Sequence, residues 1–186
     1  MRMGFSGWLA TLAMLASQTA CMRPAPVNVY RMGEKVQAGQ LIYNVFETKW
    51  WAQIGEGQQA RTPAHRFMIM HLTVVNSGAE PVSVPPFKLT DESGRTYDES
   101  MEGQGVPLWV GIIRRVKPTD TLEGNAVFDV EPKSYKLKLD DGSDSGMVVM
   151  VDLPLQFDPN ADDGARPHKT GIDIFKPPAK ILEPPK

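Results

Sequence analysis

The chain has 186 residues, a hydrophobic fraction of 41% and a formal net charge of −2, with both signs of charge interspersed. This length fits one domain with terminal extensions, and because no basic stripe is present, no nucleic-acid partner is expected. Cys21 is the single cysteine, so it cannot form a disulfide within the chain, and cysteine–histidine zinc sites are excluded.

Residues 1–20 have the pattern of an export signal. Arg2 is the only charged residue before Arg23, and the stretch from Gly7 to Ala16 is mostly small or apolar. A helix that spans a bilayer takes about 20 apolar residues, which is more than this stretch supplies. A basic start, a short apolar core and a small-residue end predict a cleaved secretory signal peptide.

Cys21 follows this signal in the sequence "QTAC", which resembles the lipobox of bacterial lipoproteins. Ala20 fits the motif, whereas Gln18 stands where the family usually has an apolar residue. Ordinary cleavage near Ala16 or Ala20 is the alternative. We favour lipidation of Cys21, because a lone free thiol at the start of an exported protein otherwise has little use. Residues 21–27 would then be a tether, and Met22 after the cysteine resembles outer-membrane rather than inner-membrane sorting in Gram-negative bacteria.

From residue 28 to residue 157, the sequence alternates between apolar and polar residues, with turn formers at short intervals. A hairpin is predicted around residues 37–39. The segment "RFMIMHLTVVNSG" is apolar on both faces, which predicts a strand that lies centrally or between packed layers. Pro85-Pro86 predicts an edge or a break in the next strand, and residues 91–94 predict a turn. Further predicted strands are "LWVGIIRRV", "LEGNAVFDV", "YKLKL" and "GMVVMVDLPL".

These short strands, with no convincing amphipathic helix, predict the all-β class and an immunoglobulin-like antiparallel β-sandwich. The Cys…Trp…Cys spacing of antibody domains is absent, so the prediction depends on the alternation alone. Residues 158–186 are polar and proline-rich, and they predict an irregular, flexible tail.

The order of several short motifs resembles a known family. The motifs are Asn76-Ser77 at a strand end, then Asp91, Gly94 and Tyr97 in a turn, then Pro118, and then Gly124, Phe128 and Val130 in a late strand. Over about residues 28–155, this order is similar to the telokin-like, immunoglobulin-like domain of unknown function found in many bacterial lipoproteins. The resemblance implies a β-sandwich and export, and it implies no activity or catalytic residue.

Neither a copper site nor a calcium site is predicted. Methionine and histidine in "MIMH" suit Cu(I), but Met68 and Met70 should share a core-facing side while His71 points to the other. The acidic stretches "DPNADDG" and "DESGRTYDESMEG" could suggest calcium. In the first, Asp158, Asn160 and Asp162 have the spacing of an EF-hand loop, but the glycine comes one residue late and the twelfth position is Lys169. Asp91, Glu92, Asp98 and Glu99 are instead expected to form a solvated hairpin end. No cofactor is expected.

Trp50 and Trp51 come where a strand gives way to a polar loop, and Trp109 lies elsewhere in the chain. Aromatic rings at the rim of a β-sandwich can contact a partner protein or a glycan, although one or both could instead cap the core. No catalytic motif is present. We therefore expect a non-enzymatic, lipid-anchored binding or scaffolding module of the cell envelope with an envelope protein as partner. The alternatives are a glycan- or small-ligand-binding protein and, third, an unrecognised hydrolase.

Overall fold

The computed structural model of the chain describes residues 27–143 and 146–156. Apart from a short 3-10 turn at Gly57–Gln59, its regular structure is all strand. The strands are β1 (Val29–Arg31), β2 (Lys35–Ala38), β3 (Leu41–Trp51), β4 (Arg66–Asn76), β5 (Val82–Ser83), β6 (Lys88–Thr90), β7 (Thr96–Asp98), β8 (Arg115–Val116), β9 (Thr121–Val130), β10 (Tyr135–Asp140) and β11 (Val148–Leu153). The predicted signal peptide, Cys21 and the tail at 158–186 lie outside the described residues.

The strands form two packed sheets, which confirms the predicted all-β sandwich. Sheet A has the order β1-β11-β10-β6-β7, and sheet B has the order β2-β3-β4-β9. A two-stranded ribbon of β5 and β8 lies beside them. Neighbouring strands are antiparallel except for the edge pair β1 and β11, which is parallel. Between the sheets lies the main core, to which sheet B contributes Tyr43, Leu72 and Phe128 and sheet A contributes Leu89, Leu137 and Val151.

Strand β4 shows why its sequence is apolar on both faces. Side chains alternate along a strand, so Met68 and Met70 point into the main core and are fully buried there. Phe67 and Ile69 point to the outer face of sheet B, and they are buried there in a second, smaller cluster. The prediction of a strand between packed layers is therefore confirmed. His71 lies on the outer face, opposite to the two methionines, as expected.

The predicted hairpin is formed by β2 and β3, with Ala38 opposite Leu41. Gly39 in the turn has φ +57°, a left-handed conformation that glycine adopts without steric cost. The break at Pro85-Pro86 is also confirmed. Before the prolines, β5 pairs with β8, and after them β6 pairs with β10 in sheet A. Because proline has no N–H to donate, the chain leaves one sheet and enters another at this point.

The predicted strand "LWVGIIRRV" is wrong for most of its length. Only Arg115–Val116 forms a strand there, and Trp109 makes a single bridge to Asn125. Leu108 and Gly111 have φ values of 50° and 71°, which interrupt an extended backbone. The segment therefore forms a loop despite its apolar composition.

The turn at 91–94 is confirmed, but its expected solvation is wrong at Asp91. The side chain of Asp91 is almost fully buried and accepts hydrogen bonds from the backbone N–H groups of Ser93 and Arg95 at 3.0 Å. The Tyr97 hydroxyl donates to the same carboxylate at 2.8 Å, and the Lys133 ammonium lies 3.1 Å from it. Asp91 is thus the centre of a polar network that closes the β6–β7 hairpin.

Within residues 27–143 and 146–156, no helix is long and apolar enough to cross a membrane.

Candidate functional site

The outer face of sheet B carries the second apolar cluster of the domain. Its buried members are Ile54, Phe67, Ile69, Val106 and Val127, and Trp51 and Trp109 pack against them. Phe67, Ile69 and Val127 come from strands β4 and β9, whereas Ile54 and Val106 come from two loops. These loops, residues 52–65 and 100–113, therefore cover part of a sheet face that would otherwise expose apolar side chains to water.

Residues 100–113, here called the apolar loop, leave and rejoin the domain at the edge of β9. The N–H of Ser100 donates to the carbonyl of Val127 at 2.7 Å, and the N–H of Val110 donates to the carbonyl of Asn125 at 3.1 Å. The first residue of the loop and a residue near its end thus bond to the same short stretch of one strand, which is the arrangement of an Ω-loop. The loop also shields the β9 edge, whose free N–H and C=O groups would otherwise be open to pairing with another chain.

Three side chains of the apolar loop are unusually exposed. The exposed fractions are 69% for Met101, 68% for Leu108 and 99% for Ile113. These are the highest values among the large hydrophobic residues of the described part of the chain. Exposed apolar side chains that are scattered singly need no explanation, whereas three on one loop make this loop a candidate interaction surface.

The backbone at Leu108 is held in a strained conformation. A branched side chain at φ 50° costs about 1–3 kcal/mol, and such strain persists only where the surroundings impose it. Here the Leu108 carbonyl accepts a hydrogen bond from Asn125 N–H at 2.8 Å, and the Asn125 side chain donates to the Pro107 carbonyl at 2.7 Å. The backbone of the loop approaches Gly124 so closely that a Cβ there would collide with the Leu108 carbonyl. Gly124 of the family motif is thus explained by this contact.

A buried ion pair joins the two ends of the apolar loop, and this junction is here called the neck of the loop. Glu99 immediately precedes the loop and Arg114 immediately follows it, and both side chains are fully buried. The Arg114 guanidinium donates a hydrogen bond to Glu99 Oε2, and Arg114 Nε donates to the Gly111 carbonyl at 2.7 Å. Burial raises the pKa of the Glu99 carboxyl, and the hydrogen bond and positive charge of Arg114 oppose that shift. The expectation that Glu99 belongs to a solvated hairpin end is therefore wrong.

Arg61 joins the two loops that cover the outer face. Its guanidinium donates to the Glu102 carboxylate and to the Gln104 carbonyl, both at 3.1 Å. The same guanidinium lies 5.9 Å from the centre of the Phe67 ring. Glu102 is largely exposed, so this ion pair is screened by water and contributes little to stability.

Phe46 is a further half-exposed apolar side chain on the outer face of sheet B. The pairing of β3 with β4 shifts register between Val45 and Glu47, and this bulge leaves the Phe46 ring half-exposed. The ring lies 5.6 Å from that of His71, and His71 Nδ1 lies 3.1 Å from the side-chain oxygen of Asn125. Asn125 in turn bonds to the backbone at Leu108. A chain of contacts therefore crosses the outer face of sheet B from the bulge to the apolar loop.

The other side of the loop borders a shallow depression of about 430 Å³. Pro85, Pro86 and Met101 provide its apolar lining, and charged side chains of β6, β7 and β10 surround them. An apolar group that contacts Met101 could also enter this depression.

The structure separates the three tryptophans that the sequence singled out. Trp51 and Trp109 lie together on the outer face and are half-buried, with only part of each ring accessible to a partner. Trp50 is different, because adjacent residues of a strand point to opposite faces. Its side chain lies in the main core and is only 5% exposed, so the prediction of a surface contact is corrected for this residue.

The most exposed members of the surface, Met101, Leu108 and Ile113, were missed at the sequence level. Leu108 and Ile113 lie in the predicted strand "LWVGIIRRV", although Gly111 interrupts it and Gly103, Gly105 and Pro107 come shortly before it, whereas Met101 lies in the acidic stretch "DESGRTYDESMEG". Such a density of glycine and proline is typical of a loop, and it was the available signal. Nothing in the sequence marks Glu99 and Arg114 as partners.

The described residues contain no group of three or more histidine, cysteine, aspartate or glutamate side chains arranged to hold a metal ion.

Comparison with known proteins places the chain in a family. No curated protein sequence matches it. Two solved structures with the same fold come from Bacillus subtilis. The yjhA protein is 18% identical, with a TM-score of 0.51, over 67% of this chain and 98% of that one. The protein ycdA, described as a candidate lipoprotein of strain 168, is 12% identical, with a TM-score of 0.52, over 66% of this chain and 39% of that one. Residues 30–146 match the sequence profile of the domain of unknown function DUF4352, so the chain belongs to this family.

Proposed function

We propose that this protein is a non-enzymatic binding module of the cell envelope that docks a partner protein on its apolar loop. The observation that carries the proposal is the exposure of Met101, Leu108 and Ile113 on one loop with anchored ends. The half-buried rings of Trp109, in the loop itself, and of Trp51 pack against the same apolar cluster and would contribute to the contact. Methionine and aromatic residues are enriched at protein interfaces, and large buried side chains provide most of the binding energy there.

The chemistry of the surface favours a protein over a glycan. Sugar rings are commonly held against flat, accessible aromatic faces, whereas Leu108 and Ile113 are aliphatic and offer no such face. Trp50 is in the core, and the rings of Trp51 and Trp109 are largely covered. The partner that fits is therefore a protein with an apolar groove, into which branched aliphatic side chains can insert.

We also propose that the protein is exported and anchored by a lipid on Cys21, with the outer membrane as the site of the anchor in a Gram-negative cell. Its support is the signal-like segment 1–20 and the partial lipobox before Cys21. The position of the loop agrees with such an anchor. A tether would join the domain at β1, on the side of the sandwich where β11 lies near β2. The apolar loop instead bonds to the edge of β9, on the side where β9 lies near β7. The loop would face away from the tether.

The test of docking uses a photo-cross-linking amino acid in the full chain within intact cells. It replaces Ile113, and in a matched control it replaces Leu155, which is also exposed but lies at the end of the chain's last described segment. We expect a discrete protein adduct from position 113 that is absent from position 155 and is lost when Met101→Ser and Leu108→Asn are added. Equal adducts from both positions would contradict the proposal. An adduct to glycan alone would favour the alternative of a glycan-binding protein.

The test of anchoring compares the wild type with Cys21→Ser. After metabolic labelling with an alkyne fatty acid, we expect label and detergent-phase partitioning for the wild type and neither for the variant. Equal release of both proteins from the membrane fraction would show that Cys21 is not the anchor.

A further inference from the structure

We propose that the buried Glu99–Arg114 pair is a positioning device, which fixes the conformation in which the apolar loop presents its side chains, and that it is not what keeps the domain folded. The proposal deepens the proposed function, because its biological meaning depends on the loop being the docking surface. The structural claim can be tested without any partner.

The first support is the location of the pair. Glu99 and Arg114 flank the apolar loop, and both contact Phe87 of the main core. The N–H of Phe87 donates to Glu99 Oε2 at 3.0 Å, and its carbonyl accepts from Glu99 N–H at 3.2 Å. The Arg114 guanidinium lies over the Phe87 ring, 4.4 Å from its centre. The two ends of the loop are thus fixed to one core residue.

The second support is how little apolar anchoring the loop itself has. Val106 is buried in the second cluster and Trp109 packs against it, whereas Met101, Leu108 and Ile113 face solvent. Ordering each residue of a loop costs conformational entropy of about 1–2 kcal/mol, so a loop with few buried side chains adopts one conformation only when its ends are constrained. The ion pair provides that constraint at the point where both ends meet the core.

The third support comes from the energetics of buried ion pairs. Removing two charges from water costs about as much as their attraction returns, so a well-packed apolar pair is often as stabilising or more. Such pairs are best attested as devices that select one arrangement among several. The main core between sheets A and B already contains the large buried side chains that stabilise the fold.

The test is the double variant Glu99→Leu with Arg114→Met in the full chain, followed by hydrogen–deuterium exchange of individual amides. The reporter amides are Val106, Val110 and Asn125, because their N–H groups bond within the loop or between the loop and β9. We expect these amides to exchange at least about tenfold faster than in the wild type, while amides of β3, β4 and β10 keep their protection and the Tm changes by only a few degrees.

A matched control removes the exposed pair Lys88–Asp98, whose Nζ–Oδ1 distance is 3.0 Å, by the changes Lys88→Gln and Asp98→Asn. It should leave the exchange of the reporter amides unchanged. Unchanged reporter amides in the Glu99→Leu, Arg114→Met variant would overturn the proposal, as would an equal loss of protection throughout the sheets. Failure of both this variant and Glu99→Gln with Arg114→Gln to fold would assign the pair to folding and overturn it too. Absence of a cross-linked partner at position 113, by contrast, would count against the proposed function only.

Discussion

Two carboxylates lie at opposite ends of strand β7, and they organise different kinds of structure. Asp91, in the turn before β7, has most of its partners within a few residues, namely the N–H groups of Ser93 and Arg95 and the Tyr97 hydroxyl. Glu99, directly after β7, pairs with Arg114 across the whole apolar loop. One carboxylate holds a tight hairpin end, and the other joins the two ends of a long loop.

The comparison shows where a β-sandwich of this kind has freedom to acquire a binding surface. At the Asp91 turn, backbone donors are satisfied locally, and the Lys133 ammonium covers the rings of Tyr97 and Tyr135 at 5.4 and 5.6 Å. Its polar groups and aromatic rings are used in the hairpin itself. At the Glu99 neck, the pair fixes only the ends of the loop, so the residues between them can present apolar side chains to a partner.

The largest effect on stability is expected when only one partner of the Glu99–Arg114 ion pair is removed. Glu99→Gln leaves the Arg114 guanidinium buried with no opposing charge, and removing one partner of a buried ion pair costs about 3–5 kcal/mol. We therefore expect a marked fall in the free energy of unfolding, measured by urea titration. Glu102→Gln, in the same loop but exposed, is the matched control and should change it by less than about 0.5 kcal/mol. Equal effects of the two changes would show that the neck is not special.

Gly124→Ala tests the contact between the apolar loop and strand β9 rather than the ion pair at the neck. The added Cβ would meet the Leu108 carbonyl and lie 2.8 Å from Val110 Cγ1, so the loop has to move away from the strand edge. Forcing an extra methyl into a packed position costs about 1–3 kcal/mol. We expect a lower urea midpoint, together with shifted NMR signals for residues 108–110 and unshifted signals in the Asp91 turn. Signals that move in the turn instead would contradict the separation of the two regions.

Asp91→Asn should weaken the hairpin end in a pH-dependent way. Hydrogen bonds from Ser93, then from Tyr97, and the ammonium of Lys133 hold the pKa of Asp91 well below its usual range. A carboxyl with a lowered folded-state pKa stabilises the fold above its unfolded pKa of about 4, and this contribution is lost as the pH falls further. The variant should therefore be less stable than the wild type at pH 7, with a difference that shrinks below about pH 4. Asp98→Asn, at an exposed position of the same hairpin, is the matched control and should change the free energy of unfolding at pH 7 by less than about 0.5 kcal/mol.

The sequence predicted those parts of the fold that depend on local chemistry. The alternation of apolar and polar residues predicted the β-sandwich, and the glycine after Ala38 predicted the hairpin. Pro85-Pro86 predicted the break between β5 and β6. The Asp91 turn was also predicted, because its hydrogen bonds join residues that are close in the chain. What failed was the burial of its carboxylate, because the contact from Lys133 comes from the connection between β9 and β10, far away in the sequence.

The candidate surface was harder to predict because apolar residues have two opposite uses. In "VPLWVGII", Val106 is buried in the second cluster whereas Leu108 and Ile113 are exposed, although all three are aliphatic. Whether an aliphatic side chain of this loop is buried or exposed depends on the backbone angles at Leu108 and Gly111 and on how the loop aligns with β9. Composition encodes neither. The burial of Trp50 was decided in a similar way, by the face to which its position in β3 points.

The smallest effect on stability is expected from Leu108→Asn, and it discriminates best between a docking surface and a merely structural loop. Leu108 is mostly exposed, so its removal forfeits little apolar burial, and asparagine tolerates the left-handed backbone there better than leucine does. The free energy of unfolding should change by less than about 0.5 kcal/mol, as for Leu155→Asn. The partner adduct formed from position 113 should nevertheless be lost with Leu108→Asn and kept with Leu155→Asn. Loss of stability without loss of the adduct would mean that the exposed leucine serves the fold, and the functional contrast between the neck of Glu99 and the turn of Asp91 would then disappear.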